Sequence, residues 1–187
     1  MHPSRRSFLA LPFAAAACSS ADPVLYTIAV KPGPILDRGP AVVRLREIGL
    51  AGYLDRREIV RSSDGVRLDV ARNDWWGEPL GGMLARVLVV ELSQRLPQSN
   101  IYSEDGAITA DPNAVLAVNI QRLDVDPAGS LELLAQAAVE FNRPKRSAAR
   151  TFRIAKTVAA ATVAGQVAAI SDAVAELSDG LASLLQS

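Results

Sequence analysis

Asp124 and Asp126, two residues apart in the run "VNIQRLDVDPAGSLELL", have the types and spacing that most suggest reactive chemistry in this chain. On a strand, that spacing turns both carboxylates to the same side, where a pair can do general acid–base work or hold calcium. The calcium-loop pattern fails. With Asp124 at the first position, Ala128 takes the fifth place and Ala135 the twelfth, where oxygen ligands are required; only Gly129 fits. Solvated charges beside a hairpin turn are the plainer reading, and a carboxylate hydrolase is the reactive one. The sole histidine, His2, lies ahead of an apolar run that reads as a removable leader. Without it no imidazole remains, which excludes Ser–His–Asp and Cys–His catalysis and an ordinary zinc site. Lys31, Lys145 and Lys156 lie outside any Ser-x-x-Lys pattern, and neither a phosphate loop nor a dinucleotide fingerprint occurs. No catalytic, cofactor-binding or metal-ligating residue is assigned. Trp75 and Trp76, in "WWGEPL", are candidates for contact with a partner, lipid or sugar, or else for a wedge under a helix start.

Cys18 is the only cysteine, so no internal disulfide is available. It ends "RRSFLALPFAAAAC", which has a basic start at Arg5 and Arg6, apolar residues from Phe8 to Ala17, and small residues before a cut. These are the parts of an export signal over residues 1–17. The apolar run would span roughly 15 Å as a helix, about half of a ~30 Å hydrocarbon core, so it is not a transmembrane anchor. "AAAC" resembles a lipobox, with Ala15 where leucine is preferred; the other reading is an ordinary secretory peptide. On the lipobox reading Cys18 carries covalent lipid, residues 18–23 are a tether, and residues 24–187 form one domain. Ser19 after the cysteine, by resemblance to lipoprotein sorting, favours the outer membrane. "SRRSFL" also looks like a twin-arginine address, and the export route stays open.

Positioning these residues requires a fold, and the composition supports one. Apolar residues make up 49% of the 187 and charged residues 21%, a globular mixture. Lys+Arg and Asp+Glu both total 20; loss of Arg5 and Arg6 leaves the mature chain mildly acidic, so nucleic acid is not an expected partner. "VLYTIAV" (24–30) and "AVVRLREIGL" (41–50) read as strands around a Pro/Gly loop, and Ser-Asp-Gly inside 58–71 marks a hairpin. Leu80, Met83, Leu84, Val87, Leu88, Leu92 and Leu96 form one helical stripe, opened by Glu78-Pro79 and closed by Pro97. A short strand "NIYS" follows. Residues 114–141 read as two strands joined by a type I turn at Asp126-Pro127-Ala128-Gly129, and 150–158 as an edge strand. Val163, Val167, Ile170, Val174, Leu177, Leu181 and Leu184 make a second helical seam, either covering the domain's own sheet or joining copies as a homo-oligomer. The order implies an α+β fold: an antiparallel or mixed β-sheet with two main helices packed on one face.

The segment 43–97, with "YLDRREIV" (53–60), "WWGEPL" and a helix ending in Leu-Pro, resembles the ABC-type transport auxiliary lipoproteins of the PqiC type. "LYTI", "VNIQRLDVDPAGSLELLAQ" and the Ala-rich last helix fall in the expected order, while Arg57 stands where the family often has proline. The resemblance implies a non-catalytic lipoprotein at the periplasmic face of the outer membrane. Its partners would be an MCE-domain substrate-binding protein and an ABC permease that together move lipids between the bacterial membranes, with this chain as docking adaptor. The alternative is a periplasmic carrier whose helix stripes, with Trp75 and Trp76, line a cavity for lipid or another hydrophobe.

Overall fold

Long alternating runs with clean turns form the longest strands here, and shorter runs attach to their edge. The computed structural model describes residues 22–63, 66–108, 110–126 and 128–187. Its elements are β1 (Val24–Tyr26), β2 (Val42–Leu45), β3 (Gly49–Leu50), β4 (Glu58–Ser63), β5 (Leu68–Trp76), α1 (Leu80–Arg95), β6 (Asn100–Ser103), β7 (Ala114–Val125), β8 (Ser130–Asn142), β9 (Lys145–Thr157) and α2 (Val163–Leu185).

β7, β8 and β9 form an antiparallel meander. The free side of β7 receives three short strands in parallel, one after another: β2 beside Ala114, β3 beside Asn119 and β4 beside Val125. β6 extends the sheet beyond β2, and β5 then β1 extend it beyond β4. This is the mixed α+β sheet expected. Both helices share one core with one face of it, where Leu116, Ile120, Leu131, Leu133, Val139 and Phe152 meet the stripes of α1 and α2.

The α1 stripe is buried as read, and so is the α2 seam apart from the partly exposed Val163. The seam covers its own sheet, against β8 and β9. Thr162 caps α2, its hydroxyl accepting from the Gly165 amide at 3.1 Å, a bond of the kind that contributes ~1 kcal/mol.

Three runs differ from their reading. The 41–50 strand is broken, because residues 46–48 leave the ladder to bury Ile48 while Arg46 and Glu47 face outward. The 150–158 strand begins earlier, at Lys145, directly after a tight turn at Arg143-Pro144. The 24–30 strand stops at Tyr26. From there residues 27–38 run as a strap across both helices, held by hydrogen bonds to the helices rather than by a sheet. The Ala29 amide donates to Ser171 Oγ at 3.1 Å and the Lys31 amide to Glu91 Oε1 at 2.7 Å. The Leu36 amide donates to the Arg95 carbonyl at 2.7 Å. The Ser-Asp-Gly hairpin forms between β4 and β5, though Asp64 and Gly65 themselves lie outside the described residues.

Gly33 lies directly on the Arg95 guanidinium: a Cβ there would stand 2.3 Å from Cζ. Arg95 is fully buried and hydrogen-bonded, so it cannot swing aside. Gly33→Ala is therefore expected to lower unfolding free energy by about 1–3 kcal/mol, as overpacking does. Gly82→Ala, on an exposed turn of α1 with nothing near its Cβ, should raise it by about 0.5–1 kcal/mol. Urea unfolding of the two variants checks both signs.

Candidate functional site

The expected carboxylate pair does not form a site. A register shift in β7 between Ile120 and Arg122 resets the alternation, so Leu123 continues the core and Asp124 takes the opposite face. There Asp124 is only 1% exposed, which corrects the reading of a solvated charge. Its carboxylate accepts the Tyr53 hydroxyl at 2.6 Å and Arg122 Nε at 3.0 Å, and Arg122 also pairs with Glu132. Asp126 instead closes the hairpin turn. Its Oδ1 accepts the Ser130 amide at 2.8 Å and its carbonyl the Gly129 amide at 3.0 Å. Gly129, at φ +82°, supplies the left-handed residue the turn needs. Each carboxylate is thus committed to holding the chain.

Burial first, and the bond to Asp124 second, push the Tyr53 phenol well above its ordinary range. Tyr53 opens the "YLDRREIV" segment, so that motif places the hydroxyl over β7.

The tryptophans part ways because both lie at the end of β5, which leads into α1, and successive strand residues face opposite sides. Trp76 is 7% exposed and belongs to the core, so its indole offers no surface to a partner or lipid. Trp75 is half-buried; its indole N–H donates to the Arg72 carbonyl at 3.0 Å and Arg57 stacks over its ring at 5.1 Å. Of the pair, Trp75 alone keeps a surface. The carrier reading expected a cavity between these rings and the helix stripes, but Trp76 and both stripes fill the core instead. A groove of about 740 Å³ lies on the other face of the sheet. Its floor is Ala117, Ala138 and Ala149 beside Asn119, Gln136 and Thr151, and Arg46, Glu47 and Glu104 also line it. Cys18 lies outside the described residues.

Sequence reasoning missed a buried polar cluster between the helices. Arg95 Nε donates to Asp179 at 2.5 Å, and its remaining N–H groups reach the carbonyls of Lys31, Glu91 and Ala175. Glu91 accepts from the Lys31 amide and, at 2.7 Å, from Ser178 Oγ. The available signal was their i,i+4 spacing beside Leu88 and Leu92, on the face that apolar counting had already marked as inside.

A sequence model of the ABC-type transport auxiliary lipoprotein component family matches residues 25–182. The chain belongs to that family. As a member it is an auxiliary component of ABC-type transport and a protein of the cell envelope. No helix among the described residues is long and apolar enough to cross a membrane. Two solved structures share the family member's fold. An uncharacterized protein superposes with a TM-score of 0.70 at 18% identity, over 87% of this chain and 98% of that one. A Xanthomonas campestris protein assigned to DUF330 gives 0.69 at 18% identity, over 86% of this chain and 95% of that one. No curated protein matches the sequence.

The raised Tyr53 sets a sign for alkaline stability. The unfolded chain ionises tyrosine near pH ~10 while the folded one keeps the Tyr53 proton, so stability is whole below pH ~10 and falls as pH rises above it. Tyr26, raised by its bond to Asp74, adds to that slope. Tyr53→Phe should cost about 1–2 kcal/mol at neutral pH and flatten the decline above pH ~10; urea midpoints measured from pH ~8 to ~11 compare the two.

Proposed function

We propose that this protein is a non-enzymatic, lipid-anchored docking subunit of an ABC-type system that moves lipids between the two bacterial membranes. It is acylated on Cys18, faces the periplasm from the outer membrane, and engages a substrate-binding protein of the MCE class. The family match over residues 25–182, beginning just beyond Cys18 and a short tether, carries this reading. The chemistry of the chain supports it. Past the leader there is no histidine, and Asp124 and Asp126 are both occupied in structural bonds. The apolar stripes that a carrier would need for its cargo are spent on the core.

An acyl anchor suits such a part. Each buried methylene contributes ~0.8 kcal/mol; one chain binds marginally and two hold stably. The tether over residues 18–23 spans at most about 20 Å, which confines the domain to a shell near the membrane and raises its effective concentration for a partner fixed in the envelope.

Membrane fractionation of the full chain tests the anchor. Wild type is expected in the outer-membrane fraction after a high-salt wash, with acyl mass on Cys18. Cys18→Ser should appear in the soluble periplasmic fraction with an unchanged melting temperature. A Cys18→Ser chain that stays membrane-bound through the wash contradicts the proposal, as does a native N-terminus carrying no acyl group.

A further inference from the structure

β9 is a sheet edge of unusual length and one-sided charge. Among the described residues it pairs with β8 alone, in unbroken register from Asn142↔Lys145 to Ser130↔Thr157. Alternate backbone N–H and C=O groups along its outer side therefore have no ladder partner. The run from Arg143 to Lys156 carries Arg143, Lys145, Arg146, Arg150, Arg153 and Lys156, and no acidic residue occurs between Glu140 and Asp172. In a mature chain with more acidic than basic residues, that is a strong local asymmetry.

Some of these cations have internal duties. Lys156 pairs with Glu176 at 2.6 Å, and Arg146 lies over the Phe141 ring and donates to the Ser187 carbonyl. Arg150 lies over the Phe152 ring at 5.1 Å, yet Lys145, Arg150 and Arg153 are all exposed and lie within ion-pair distance of no carboxylate among the described residues. Charges on an edge strand, lysine above all, commonly serve to prevent aggregation. A single-sign row also selects what is allowed to pair.

The arrangement of the row narrows the choice further. Lys145 and Arg153 point to the face opposite Arg150, because strand residues alternate. A planar anionic membrane meets one face of a sheet and leaves the other cations unmatched. A second β9 would set like charges against each other, which destabilises cross-strand pairs. A strand laid along the edge, with carboxylates on both of its faces, satisfies the free backbone groups and both sets of cations together. The geometry points to β9 as the docking edge for an acidic extended segment of a partner protein, bound by strand addition. This gives the partner of the docking reading its chemistry; the binding itself does not depend on the acyl anchor.

The test uses the detergent-extracted full chain and a labelled peptide in which Glu-Glu pairs are separated by Val-Thr pairs, so that carboxylates project from both faces of the extended strand. Fluorescence anisotropy is expected to show saturable binding that weakens with salt. Hydrogen–deuterium exchange should show new protection within 145–157. Arg150→Glu with Arg153→Glu should weaken binding at least tenfold. The milder Arg150→Gln with Arg153→Gln should weaken it less, with an unchanged melting temperature showing that the fold is intact. A peptide of the same sequence with alternate backbone amides N-methylated should not bind. The inference is overturned if the acidic peptide does not bind, if the N-methylated peptide binds equally, or if charge reversal has no effect. It is overturned as well if phosphatidylglycerol vesicles are bound through Arg150 and Arg153 while the peptide is not, or if the unliganded chain dimerises through β9. Loss of peptide binding with Cys18 still acylated would remove this inference and leave the anchored-subunit reading standing.

Discussion

A buried guanidinium fixes the path of this chain. Arg95 sits fully enclosed between α1 and α2, and an ion in that position is tolerable only when its hydrogen-bonding groups are met. Asp179 supplies the opposite charge, and the carbonyls of Lys31, Glu91 and Ala175 take the remaining donors. Two of these partners lie on α2 and one on the strap, so the requirement ties the N-terminal segment and both helices into one unit. Glu91, equally buried, repeats the pattern through the Lys31 amide and Ser178. Gly33 belongs to the same constraint, since only a residue without a Cβ lets the strap lie on the guanidinium.

That clamp decides which surfaces are left for a partner. With the strap across the helices and the stripes of α1 and α2 packed on the sheet, the apolar surface of the fold is largely consumed internally. What remains outside includes the alanine-floored groove, the half-buried Trp75 with the exposed Val24 and Leu25 of β1 beside it, and the edge of β9. The described chain begins just before β1, which pairs with β5 at Asp74 to Trp76 and lies at the end of the sheet opposite β9 in strand order. On the proposed anchoring at Cys18, β9 would be the edge farther along the sheet from the tether and open to a partner.

Much of this was legible in the residues, for definite reasons. The α1 stripe and the α2 seam were readable because a helix repeats its inward face every three or four residues, whatever its neighbours do. The β7–β8 hairpin was readable because Asp126 and Gly129 carry turn chemistry between two alternating runs. Features set by distant partners were not. The register shift near Gln121 changes the side to which Asp124 points, and no local pattern announces it. The break after Leu45 follows from the need to bury Ile48. Residues 27–30 of the strap read as strand until the polar atoms of Ser171 and Glu91, far along the chain, are found to take the amides of Ala29 and Lys31. Trp75 and Trp76 could be identified as notable from their types, but only the strand beneath them reveals which one is inside.

The central proposal is that this envelope protein works by docking rather than by carrying a lipid cargo, since the apolar stripes of both helices are packed in the core. Native mass spectrometry of the gently detergent-extracted full chain tests it most directly. The account predicts the mass of the processed polypeptide plus its covalent acyl groups and nothing more. A phospholipid bound non-covalently in one-to-one ratio, surviving detergent exchange, would contradict it.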